Sequence, residues 1–124
     1  MWTAAALIAV WRAVAGLGGF LSVAAGAAAA HLTANLHAAE LLRTGALYGL
    51  VHAAALLAVS LGSPPLRRAL MVAGWAFAAG IVLFSFSLFA LAATGWSPFA
   101  LATPVGGVAF MLGWFALALT ARRR

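Results

Sequence analysis

Four stretches of this chain are almost free of charge, and short polar or helix-breaking intervals separate them. The first runs from about Ala13 to Ala30 behind Arg12 and is rich in glycine and alanine. A polar interval follows, with His31, Thr33, Asn35, His37, Glu40 and Arg43. The second run, about Ala46 to Leu61, stops at Gly62-Ser63-Pro64-Pro65, a sequence that cannot continue a helix. Arg67 and Arg68 open a third run that ends near Ala93 before Thr94-Gly95-Trp96-Ser97-Pro98. The fourth follows Pro104, read here as a helix-initiating proline, and closes on Arg122, Arg123 and Arg124. With their flanks, the spans are expected at about 9–30, 44–61, 69–93 and 103–120. Each is long enough to cross about 30 Å of hydrocarbon as a helix.

Composition agrees with that reading. Of 124 residues, 67% are hydrophobic and 6% charged, with a mean hydropathy of +1.14. A soluble chain of this size could not bury so much apolar surface in one core. The expected fold is therefore all-α: a single domain, a polytopic membrane protein whose four transmembrane helices form a bundle. The formal charge of +6 comes from seven arginines and one acid, without lysine. Six of the arginines (Arg12, Arg67, Arg68 and Arg122 to Arg124) flank one set of span ends, and Arg43 alone flanks the other. By the positive-inside rule both termini are expected in the cytoplasm. These arginines punctuate apolar runs instead of forming an interleaved basic surface, so no nucleic-acid partner is expected. Trp11, Trp75, Trp96 and Trp114 fall near span ends, where interfacial aromatics belong, although Trp75 suits helix packing equally.

The first run with its alanine-rich end resembles a signal peptide, but its basic residue lies well inside the chain, and a retained first span is expected. The lysine-free, arginine- and alanine-rich composition suits a GC-rich bacterial genome and an inner membrane.

The polar residues define the candidate chemistry. Glu40, Thr44, Tyr48 and His52 recur every four residues, which places neighbours on adjoining turns along about 18 Å of helix. Glu40 is expected to pair with Arg43 at the non-cytoplasmic interface. His52, deeper in the second span, needs a partner, and Tyr48, Ser85 or Ser87 are the candidates. Three histidines and one carboxylate follow no metal-ligand spacing, so no metal is expected. No cofactor is implied. Cysteine is absent, which removes disulfides and thiolate chemistry. The serines lack a nearby acid–base set and a lone Glu forms no carboxylate pair, so no enzyme is expected. The Gly16-x-Gly18-Gly19 and Gly106-Gly107 clusters lack the strand and lysine of a phosphate loop and read as close helix packing.

Several short elements form a recognisable series. Gly26, Ala27, Ala30 and His31 fit a Gly-Ala-Phe-Gly-Ala-His signature, and Tyr48, His52, Ala53, Leu56 and Leu57 a Tyr-x-x-x-His-Ala element. The third run carries Gly74-Trp75-x-Phe77-x-x-Gly80-Ile81-x-Leu83-Phe84-Ser85-x-Ser87-Leu88, closed by Thr94-Gly95. The fourth carries Thr103-Pro104-Val105-Gly106-Gly107, then Phe110, Gly113 and Trp114. Together, over about Gly16 to Trp114, these resemble domain-of-unknown-function family 423, the small membrane proteins that include transmembrane protein 256. The resemblance carries no activity, substrate or catalytic residue. Ala28, Ala29, Phe86 and Phe89 depart from the family's usual Phe, Gly, Gly and Tyr. Gly26, Gly74, Gly80, Gly106, Gly107 and Gly113 are the expected packing positions.

The function expected is that of a non-enzymatic scaffold or accessory subunit that packs with itself, with membrane lipid or with a larger membrane complex. The alternative is a transporter or ligand-binding protein whose site is His31, Glu40, Thr44, Tyr48, His52, Ser85 and Ser87. A homo-oligomer with a central pore would need polar faces from several copies to meet on one axis.

Overall fold

A computed structural model describes residues 2–121 of the chain. Four helices carry the fold: α1 (Ala4–His31), α2 (Leu36–Val59), α3 (Arg68–Thr94) and α4 (Phe99–Leu119). No strand occurs among the described residues. Arg122, Arg123 and Arg124, half of the expected cytoplasmic charge, lie outside the described residues.

Local signals set several of the helix ends. Thr3 caps α1 by accepting from the Ala6 N–H at 3.1 Å. Asn35 caps α2 through Oδ1, which accepts from the His37 and Ala38 N–H groups at 3.0 and 3.2 Å. This cap starts α2 eight residues before the expected start of the second span, so Glu40 and Arg43 ride on its first two turns instead of lying in a connection. Gly95, with φ of 68°, supplies the left-handed residue that ends α3. The N–H groups of Phe99, Ala100 and Leu101 then donate to the carbonyls of Trp96, Ser97 and Pro98, which turns the chain into α4. Pro104 consequently sits inside α4, and it does not initiate the helix.

α1 and α2 run antiparallel with a constant register. Gly18 faces Ala53 and Gly26 faces Ala46, while a Cβ on Gly49 would strike Ser22 Oγ. α1 packs chiefly on α2, α4 chiefly on α3, and α2 lies along the length of α3. The molecule is two hairpins joined through α2 and α3.

Only 22% to 39% of each helix's most apolar window is buried inside the bundle. The rest of that apolar surface, including Phe20, Val23, Leu57, Met111 and Phe115, faces outward. Hydrocarbon is the solvent that tolerates it, since burial within the chain accounts for the smaller share. The inner core centres on Trp11, Leu56, Phe77 and Ile81, all fully buried. Trp11 is thus a core residue packed against Gly74 and edge-on to Trp75 at 6.0 Å, which corrects its expected place at the interface.

Two arginines tie the hairpins' C-terminal ends at one end of the bundle. Arg12 Nη2 donates to the Ser60 carbonyl, the C-cap of α2, at 3.4 Å. Arg67 Nη1 donates to the Thr120 carbonyl, the C-cap of α4, at 2.6 Å. A cation is favourable at a helix C-terminus, where the last carbonyls have no partner.

Candidate functional site

The four-residue stripe on α2 does not keep to one face. A residue turns the helix by about 100°, so each four-residue step overshoots by about 40° and three steps by about 120°. The side chains follow that drift. Glu40 is exposed, Thr44 half-buried, Tyr48 44% exposed and His52 4% exposed. The stripe winds from the outer surface into the bundle.

At its outer end, Glu40, Arg43 and Thr44 line an open groove of about 450 Å³ with Leu36 and Leu47. Glu40 and Arg43 form no ion pair within 4.0 Å, so the expected salt bridge is absent. Two exposed side chains gain little by pairing in water, and the entropy of holding both favours separation. His31 ends α1 and His37 opens α2, both exposed. Among the described residues no three of the metal-ligating acids and histidines gather.

At the inner end, His52 is enclosed and bonded at both ring nitrogens. Nδ1 lies 2.6 Å from the Tyr48 carbonyl, and Nε2 lies 2.9 Å from the indole Nε1 of Trp114. A carbonyl only accepts and an indole N–H only donates, so Nδ1 carries the proton and Nε2 accepts. The two partners fix the neutral Nδ1–H tautomer. Phe110 stacks on the ring at 3.6 Å between centroids, and Phe77 stands 5.7 Å away. Tyr48 continues the stack outward at 6.1 Å and also packs on Phe84 at 4.9 Å.

Glycines make this wall possible. A Cβ on Gly80 would enter the Phe110 ring, and one on Gly113 would reach Phe77 at 2.6 Å. Gly106 meets the α3 backbone at Phe84, and Gly74 meets Trp11. Gly107 and Gly26 stand apart, because a Cβ there would meet Phe84 at 3.8 Å and Ala46 at 4.0 Å, both ordinary contacts. Gly45 and Gly49, which sequence reasoning passed over, are tight against Phe89 and against Ser22 and Ser85.

The serines do not reach His52. Ser87 Oγ donates to the Phe84 carbonyl at 2.8 Å and lies 2.7 Å from Thr103 Oγ1, which therefore donates to it. Ser85 Oγ is buried without a partner, as is Ser22 Oγ across Gly49. Ser85 lies in a π-helical segment of α3, Ile81–Phe86. Trp114 and Thr103 are the polar partners that sequence reasoning missed. Both lie inside the motif of the fourth span, but 62 and 16 residues separate them from the groups they bond.

In chemical terms, Glu40 stands apart from Tyr48 and His52, and His52 has no ring nitrogen left to hold a ligand or exchange a proton with one. The sequence pattern of a family described as "Protein of unknown function (DUF423)" matches residues 25–107. The chain belongs to the DUF423 family. Relatives agree over most of its length. A UPF0382 membrane protein of Haemophilus influenzae is 38% identical over 105 residues, 82% of this chain and 85% of that protein. The UPF0382 inner membrane protein YgdD of Escherichia coli K12 is 37% identical over 115 residues, 88% and 86% of the two chains. The Bacillus subtilis protein YwdK, a UPF0382 membrane protein, is 38% identical over 84 residues, 66% and 68%. No solved structure matches. The DUF423 match takes in Tyr48, His52, Ser85, Ser87 and Thr103 but ends before Phe110 and Trp114, whereas the alignment with YgdD spans most of both chains. This DUF423 member is a small four-helix membrane protein.

Proposed function

We propose that the protein is a non-enzymatic packing subunit of the inner membrane, with both termini in the cytoplasm, which associates through its outer helix faces with a second copy or a larger membrane complex. One observation carries the reading. His52, the only buried ionisable side chain among the described residues, is bonded at both nitrogens and walled by Phe77 and Phe110. A transported ion or a bound ligand needs an ionisable group held open for it, whereas here both ring nitrogens of His52 are taken up by helix contacts. The orientation rests on the arginine bias of the sequence and on Arg12 and Arg67 holding one end of the bundle.

The rival role, transport or ligand binding along Glu40, Tyr48 and His52, has one feature in its favour: Glu40 and Arg43 share a groove unpaired. That groove opens outward and reaches only Leu47, one residue short of Tyr48, so it offers no route inward.

Native mass spectrometry after mild extraction from the protein's own membrane separates the two roles. The subunit reading predicts a stoichiometric polypeptide partner, a second copy or another membrane protein, that survives Glu40→Gln. A small-molecule ligand or metal that disappears in Glu40→Gln or His52→Ala would favour the rival. A bare monomer in every preparation would contradict the subunit reading.

A further inference from the structure

The seam between α1 and α2 is hollow on the side away from α3. Gly18, on the inner face of α1, touches Ile81 of α3. On the outer face a Cβ at Gly16 or Gly19 would meet nothing within 4 Å, so these glycines do not serve helix contact. They hollow out a groove of about 290 Å³, walled on the α2 side by Leu50, Ala54 and Leu57 and ending at Arg12. We propose that this groove holds one acyl chain of an anionic glycerophospholipid whose phosphate rests on the Arg12 guanidinium.

Three features fit that occupant. The first is level. Arg12 reaches the C-cap carbonyl of α2, where the chain turns out of the bundle, and the groove descends from there to Gly19 and Leu50. Seven residues at 1.5 Å each give about 10 Å of groove along the helix axis, with the charge at the interface and the apolar walls beneath it. A lipid presents its parts in that order. The second is charge. Glu40, the chain's only acidic side chain, lies twenty residues before Ser60 near the opposite end of α2, so Arg12 faces no carboxylate among the described residues. With one N–H on the Ser60 carbonyl, the guanidinium keeps four donors in a planar fork that suits phosphate. The third concerns the competing occupant. A two-fold contact between copies of the same membrane orientation has its axis along the membrane normal, which would set Arg12 and its copy at one level on a shared patch with no acidic side chain between them. The anionic lipid answers the charge that a second copy would double.

The site is independent of whether the chain serves as a subunit, and its test reads lipid, not polypeptide. Detergent-purified protein is offered an equimolar mixture of phosphatidylglycerol and phosphatidylcholine with identical acyl chains, and bound lipid is read by native mass spectrometry. The expected result is one lipid per chain with about a five-fold preference for phosphatidylglycerol, the scale of one arginine at an anionic lipid surface. Arg12→Gln should bring the ratio to parity, Arg12→Lys should largely keep it, and Arg68→Gln should leave it unchanged. Gly16→Leu with Gly19→Leu should abolish retention of both lipids. Leucine favours the helix and projects into open space there, so this variant decides the matter if Arg12→Gln fails to fold. Parity in the wild type, retention by the double-leucine variant, or a lipid-free dimer held through this face would overturn the proposal.

Discussion

His52 shows how a membrane interior treats a polar side chain. An unbonded imidazole in hydrocarbon is costly, and the fold answers with one partner from its own helix and one from across the bundle. Tyr48 supplies a backbone carbonyl, not its hydroxyl, and Trp114 supplies the indole N–H. The Tyr-x-x-x-His spacing made the first half legible in the sequence, because a four-residue step sets neighbours on one helix. The second half was not legible, because nothing in a sequence spacing joins residues 52 and 114. Trp11 was misplaced for a related reason. A tryptophan near a span end fits the interface by rule, and only Gly74 on another helix reveals the slot that takes it inside. The glycines can be graded on the same geometry. In Gly106→Ala the new methyl meets the α3 backbone, which cannot step aside, and a loss of about 1–3 kcal/mol is expected from overpacking. In Gly107→Ala the methyl has room, and the helix gains up to about 1 kcal/mol over glycine. Thermal unfolding in detergent should therefore lower the midpoint of the first variant and hold or raise that of the second.

At the scale of the helices, hydropathy located the four elements but not their ends. The second span is expected from about residue 44, whereas α2 begins at Leu36, because Asn35 satisfies two of the N–H groups that a helix start leaves open. A cap is a local hydrogen-bond event to which hydropathy is blind. The consequence is functional: Glu40 and Arg43 become surface residues of a helix and part company. Asn35→Ala should cost about 1 kcal/mol and fray the first turn of α2, read as faster amide exchange at His37 and Ala38 with the rest of the bundle unchanged. Equal protection in both proteins would mean that the turn is held by tertiary packing. The third span was legible in extent, but the π-helical segment Ile81–Phe86 within it had no sequence signal that periodicity could read. It carries the buried Ser85 toward Gly49 and Ser22.

The whole molecule is two antiparallel hairpins, and their relation to the membrane follows from where the arginines lie. The chain has no cysteine, so single-cysteine variants report topology without background. With the termini cytoplasmic, a cysteine at Ala34 should react with an impermeant maleimide on intact cells, and one at Ser63 only after lysis. The reverse pattern would invert the orientation. In the proposed subunit role, the buried His52 joins the hairpins to each other instead of serving a ligand. The His52–Trp114 bond tests it most directly, since it links the α1–α2 hairpin to the α3–α4 hairpin. A double-mutant cycle of His52→Phe and Trp114→Phe, followed by reversible unfolding in mixed micelles, measures their coupling. A favourable coupling of about 0.6–1.7 kcal/mol is expected, from the average to the upper end for hydrogen bonds between membrane helices. Strictly additive effects of the two substitutions would contradict it.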